Sequence, residues 1–192
     1  MSSCVGKSHL VLKDYLSQAE INDLEMATRP MYSEINLLKK GILKDYYQGS
    51  VEELSDLEIP QVDNPHLANP VLANHSLFKK ISEEAGHLLQ VDTVELMATH
   101  MLLKPARGQK DIPWHQDLAY WKAPQNFQAV SFLIPTVATA NENGGLQYYD
   151  KATQLMSHNV MENTRVSYIN RSFDDGKITQ CNTNKGDVIV HW

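Results

Sequence analysis

The segment Trp114-His115-Gln116-Asp117-Leu118-Ala119-Tyr120-Trp121 sets an imidazole and a carboxylate two positions apart among aromatic rings. In an extended chain alternate side chains share a side, so His115 and Asp117 point the same way. An imidazole and a carboxylate on one face supply two legs of a two-His-one-carboxylate triad. That ligand set leaves iron positions open for cosubstrate, oxygen and water. His-x-Asp alone is a common spacing that more often marks a surface ion pair. Its surroundings favour chemistry: a polar, Gly-containing loop over Pro105–Pro113 precedes it, and the aromatic residues that flank it can wall a small-molecule pocket.

Two further segments follow in order, Asn141-Glu142-Asn143-Gly144-Gly145-Leu146-Gln147 and Lys185-Gly186-Asp187-Val188-Ile189-Val190-His191. The elements that must position these segments can be read from periodicity. Ser17 with Glu20 makes a capping box ahead of Ile21, Leu24 and Ala27 or Met26, so a helix should run from there and end at or before Arg29, ahead of Pro30. Residues 30–72 carry Gly41, Gly49, Pro60, Pro65 and Pro70, which predicts a loop-rich arm. A second helix should start after Asn74 or Ser76, with Leu77, Phe78, Ile81, Ala85 and Leu88 on one face. From about residue 93 the period becomes two. Val94–Lys104, Ala129–Ile134, Gly145–Tyr149, Arg165–Asn170, Lys177–Cys181 and Val188–Trp192 then read as strands separated by turns. Asn143-Gly144-Gly145 is most simply a hairpin turn, and Asp187 a turn residue. Helices followed by many short strands predict a mainly β fold with N-terminal helices, a barrel or jelly roll behind a helical layer. No repeat or linker divides the chain, so one domain is expected.

The three motifs "WHQDxxYW", "ENGGLQ" and "KGDVIVH", in this order and spacing, resemble the phytanoyl-CoA dioxygenase superfamily of iron(II)/2-oxoglutarate-dependent oxygenases. The resemblance covers roughly residues 8–192. It implies a double-stranded β-helix of the jelly-roll, cupin-like kind, with residues 1–92 as a covering layer and 93–192 as the core. It implies iron(II) as metal, 2-oxoglutarate and O₂ as cosubstrates, and His115 and Asp117 as the first two iron ligands. The strand Val94–Lys104 lines the family's pocket, which makes His100, and Lys104 in phase with it, the residues expected to meet 2-oxoglutarate. A histidine half-buried in a sheet is the plainer reading of His100. Counted from Gly186, the family's second histidine ligand and its 2-oxoglutarate-gripping Arg fall past Trp192. His191 is therefore expected to lie beside the iron site without reaching it. The last strands are expected beyond residue 192, and this chain by itself to be an inactive or impaired fragment.

The reaction implied is hydroxylation of an unactivated C–H bond in a small organic substrate. An Asp at position 117, where halogenating cousins carry Gly or Ala, favours hydroxylation over chlorination. Family substrates range over acyl thioesters, amino-acid derivatives, phosphonates and alkaloid-like molecules. Two rivals come from other classes: a non-catalytic β-helix binding or structural protein, and a cupin-like isomerase using its metal as a Lewis acid. The 42% apolar and 21% charged content is that of an ordinary globular protein. A formal charge of −6 argues against a nucleic-acid or anionic-membrane surface. Cys4 and Cys181 are far apart, which suits free thiols in a reducing compartment. No window approaches the roughly 18 apolar residues of a membrane span, so a cytoplasmic location is expected. His9, His66, His75, His87 and His158 stand outside any ligand spacing.

Overall fold

A computed structural model describes residues 9–106, 110–121, 127–149, 155–174 and 177–192. Helix and strand are mixed, and the chain forms two compact units. The first unit holds the residues up to Gln18 with Asp111–Val160 and Ser167–Trp192, and the second holds Ala19–Lys110 with Met161–Val166. Cys4 and Gly176 lie outside the described residues, as does part of the Pro105–Pro113 loop.

In the first unit the run Val188-Ile189-Val190 is buried throughout. An apolar run without alternation suits a strand covered on both faces. It forms β10 (Val188–His191), the central strand of an antiparallel sheet between β1 (His9–Leu12) and β5 (Ser131–Leu133). Register sets His191 opposite His9 on one neighbour and opposite Ser131 on the other. The Gly-Asp pair ahead of β10 has a physical reason. Gly186 has φ +101°, and a Cβ there would stand 2.7 Å from the Leu16 carbonyl oxygen. Leu16 N–H in turn donates to Gly186 C=O at 3.0 Å. Asp187, 1% exposed, accepts from Lys13 Nζ at 2.8 Å, Asp14 N at 3.0 Å and Asn184 N at 2.8 Å. Burial would raise its pKa, but these donors together hold the carboxyl below the ordinary range. Asp187 is thus a turn residue that ties the entry of β10 to the exit of β1.

Two shorter ladders complete the strands of this unit. In the first unit β6 (Gln147–Tyr149) pairs with β9 (Ile178–Gln180), and β7 (Asn159–Val160) with β8 (Ser167–Tyr168). The hairpin expected at Asn143–Gly145 is not one, since β6 pairs with β9 rather than β5. Asn141–Asn143 instead form a 3₁₀ turn. Asn143 accepts from Ala140 N and donates to Ala138 O, and Gly144 takes φ +84° to leave the turn.

The second unit opens with α1 (Gln18–Thr28), which buries Ile21, Leu24 and Thr28 and exposes Met26. It stops where Pro30 opens a 3₁₀ turn. The segment 30–72 is more regular than its Gly and Pro content suggests. It contains α2 (Ile35–Lys39), β2 (Leu43–Asp45), β3 (Pro60–Asp63) and two single-turn helices, α3 (Pro65–Ala68) and α4 (Pro70–Ala73). Much of this order traces to Asp45, fully buried, whose carboxylate accepts four backbone N–H groups, from Tyr47, Gln48, Glu58 and Ile59. Met31, Leu37, Leu38, Leu43 and Val62 form the core beside it. α5 (Ser76–Leu89) is capped by neither Asn74 nor Ser76. His75 accepts from Leu77 N through Nδ1, while its Nε2–H donates to Glu20 O. The strand expected over Val94–Lys104 is reduced to β4 (His100–Leu102), paired with β3.

Two stability outcomes follow. Gly186→Ala should lower the urea midpoint, with a cost of at least about 1–3 kcal/mol from the positive φ alone, and parent-like stability would remove the close approach as the reason for this glycine. Asp63 has a depressed carboxyl: burial pushes it up, but His100, Lys44 and Gln61 outweigh that. A depressed folded pKa stabilises above the unfolded value near 3.9 and is lost as pH falls toward the folded one. Asp63→Asn should therefore cost stability at pH 7 and narrow the loss seen below about pH 5, measured by denaturant unfolding at each pH.

Candidate metal centre

His115 and Asp117 lie in the first unit, on an extended segment that turns at Asp117 into a short 3₁₀ helix. His115 Nδ1 is 2.8 Å from Pro113 O. A carbonyl only accepts, so Nδ1 carries the hydrogen and Nε2 is the nitrogen left for chemistry. Nε2 stands 3.5 Å from Asp117 Oδ1. Two ligands each ~2.0–2.2 Å from one metal sit at about that separation. The expected pairing is therefore present, on the expected shared side.

Asp117 has more partners than its sequence neighbours suggest. Ser131 Oγ donates to Oδ2 at 2.9 Å, and His191 Nε2 reaches the same oxygen at 3.1 Å. His191 was expected to lie beside the iron site without reaching it, and in the structure it does reach Asp117. Register places it opposite Ser131 on adjoining strands, so both side chains meet one carboxylate oxygen. No three His, Cys, Asp or Glu side chains among the described residues converge as a metal-holding group. His191 thus joins the pair through Asp117 rather than by facing a common point with it.

The electrostatics follow from this geometry. Burial would raise the Asp117 carboxyl, but the neighbouring His115 and His191 and the bond from Ser131 hold it well below the usual range. Burial would lower His115, but Asp117 and the Pro113 carbonyl raise it on balance. Tyr148 Oη lies 3.0 Å from His191 Nδ1, and burial, with Cys181 and Asp117 nearby, pushes its phenol far up. The His9 ring stacks on Tyr148 at 4.1 Å between centroids. Neither Ser131 nor Tyr148 is conspicuous in sequence. The available signal was a polar residue at one end of each strand, Ser131 opening β5 and His191 closing β10.

Around the pair, Gln116 N donates to His158 Nε2 at 3.0 Å, and Gln116 Oε1 accepts from Met156 N at 2.7 Å. His158 Nδ1 donates to Met156 O, so both its ring nitrogens are engaged in holding the motif. Tyr120 lies edge-on to the His115 ring and pairs through its hydroxyl with the Ser167 backbone. Trp114 packs on Phe173 and Trp121 on Phe127.

His100 and Lys104 belong to the second unit. His100 is exposed rather than half-buried, and its Nδ1 is 3.3 Å from Asp63 Oδ1. Lys104 lies two residues past the end of β4. An open groove of the second unit, lined by Met26, Pro30, Met31 and Val71 with Glu20 and Glu34, contains none of the expected site residues. No helix among the described residues is long and apolar enough to cross a membrane.

The chain belongs to the phytanoyl-CoA dioxygenase (PhyH) family, whose model matches residues 9–192. Its fold is shared by EvdO2 from Micromonospora carbonacea var. aurantiaca, solved in complex with 2-oxoglutarate, with a TM-score of 0.76 and 20% identity over 97% of this chain and 76% of that one. A second EvdO2 structure gives 0.76 and 21% over the same shares. The epimerase SnoN, in complex with Fe³⁺, alpha-ketoglutarate and nogalamycin RO, gives 0.65 and 14% over 97% of this chain and 70% of that one. No curated protein matches the chain.

If His158 holds the motif segment through Gln116, His158→Ala should cost about 1 kcal/mol without removing either His115 or Asp117. Denaturant unfolding checks the cost, and a parent-like midpoint would count against that role.

Proposed function

We propose that this protein is an iron(II)- and 2-oxoglutarate-dependent oxygenase with a double-stranded β-helix core, acting on a small organic substrate by hydroxylation. The observation that carries the reading is the 3.5 Å approach of His115 Nε2 to Asp117 Oδ1, with His115 Nδ1 engaged on a carbonyl. Family membership supports it, as do the 2-oxoglutarate held by EvdO2 and the Fe³⁺ and ketoglutarate held by SnoN.

His115 and Asp117 would hold the metal, which when bound supplies activation of O₂ with oxidative decarboxylation of 2-oxoglutarate to succinate. The protein's own part is positional. Pro113 fixes the His115 tautomer, Ser131 and His191 keep Asp117 anionic, and Tyr120 walls one edge of the imidazole. SnoN's being an epimerase favours a second outcome on the same chemistry, inversion of a carbon centre in place of hydroxylation.

The test is anaerobic titration with iron(II), then 2-oxoglutarate, followed by visible charge-transfer absorption. The parent chain should take up iron and develop the band, while His115→Ala and Asp117→Ala should lose both. Succinate formation in air should be low, because two protein ligands hold iron loosely. Equal iron uptake by the parent and both variants would sink the reading.

A further inference from the structure

Asp117 presents its two oxygens to different surroundings. Oδ1 faces His115 Nε2, while Oδ2 is met by Ser131 Oγ at 2.9 Å and His191 Nε2 at 3.1 Å. An ionised carboxylate only accepts, so Ser131 donates its hydroxyl hydrogen and His191 donates from Nε2. With Nε2–H donating, Nδ1 of neutral His191 is the acceptor, and Tyr148 Oη–H donates to it at 3.0 Å. The chain of donors has one direction, from Tyr148 through His191 to Asp117.

From this we infer that His191, oriented by Tyr148 and assisted by Ser131, is a positioning residue that makes Asp117 a one-oxygen ligand. Engaging Oδ2 leaves Oδ1, the oxygen beside His115 Nε2, to bind the metal. A carboxylate freed from these donors can rotate or chelate through both oxygens, which takes up a coordination position that cosubstrate or O₂ needs. His191 acts through Asp117 and is not itself a ligand. β10 is suited to the task, being the central strand, buried over Val188–Val190 and tied at its start by Asp187. This inference rests on the metal-site reading above, and the following test separates the two.

The probe is Co(II), titrated into the full 192-residue chain and followed by visible absorption, with thermal melts of each variant. His115→Ala gives the baseline without a site. His191→Ala should weaken Co(II) binding about 10–100-fold, the usual scale for a residue that orients a ligand, and alter the absorption envelope as Asp117 chelates. His191→Gln should restore most of the affinity, because its amide N–H can still donate to Oδ2. Tyr148→Phe should give a smaller loss in the same direction. Ser131→Ala removes the second donor from the neighbouring strand and serves if His191→Ala melts early. Parent-like binding by both His191→Ala and Ser131→Ala, with loss in His115→Ala, overturns the inference and leaves the metal site standing. Binding by His191→Gln as poor as by His191→Ala overturns it in favour of His191 as a ligand. No difference between the parent and His115→Ala removes both readings.

Discussion

Asp117 is an ionised, half-buried carboxylate, and the register of the first unit's sheet brings to it the donors that keep it so. Burial of a charge is costly unless hydrogen-bonded donors offset it. Here two donors come from remote positions, Ser131 and His191. The remote pair needs β5 and β10 to be in a fixed register, since a slip by one residue would turn both side chains to the other face. That register is in turn anchored at the start of β10. Gly186 takes a backbone shape that only glycine adopts readily, and Asp187 ties the turn to Lys13 and Asp14. A motif that looks like a simple turn therefore sets the position of His191 five residues on.

The histidines show how ring nitrogens separate structure from chemistry. His75 engages Leu77 N and Glu20 O, and His158 engages Gln116 N and Met156 O. In each, one nitrogen donates and the other accepts, which completes a neutral imidazole with backbone alone. His115 differs: only Nδ1 meets the backbone, and Nε2 faces a carboxylate. His191 is intermediate, its two nitrogens linking a phenol to that same carboxylate. Spacing in sequence cannot draw these distinctions, because each depends on what the fold sets against the ring.

Much of the fold was readable where a pattern is local. The end of α1 before Pro30 and the continuous apolar run of β10 both rest on side-chain chemistry within a few residues. The hairpin at Asn143–Gly145 was misread because glycine and asparagine announce a turn without saying which strands will pair. Residues 30–72 looked irregular because their order is imposed by a single buried acceptor, Asp45, whose four backbone donors come from both sides of a loop. At the site, His115 and Asp117 were legible because two residues on one strand fix their own relation. Ser131 and His191 were not, since their approach to Asp117 exists only after two strands distant in sequence have been brought into register.

The same donors have opposing effects on a carboxylate that is to bind a metal. They keep Asp117 ionised, so no proton need leave it before a cation arrives, and they also compete with the cation for oxygen lone pairs. The conflict is resolved if the donors and the cation use different oxygens. The structure divides them in this way, with two donors on Oδ2 and only the long 3.5 Å approach of His115 on Oδ1. His115 is the group whose Nε2 must give up any proton for a metal, and its partner across that gap is the oxygen left least engaged. Stabilising the folded sheet and preparing the ligand are therefore not in competition at Asp117, because the sheet takes one edge of the carboxylate and leaves the other to the imidazole.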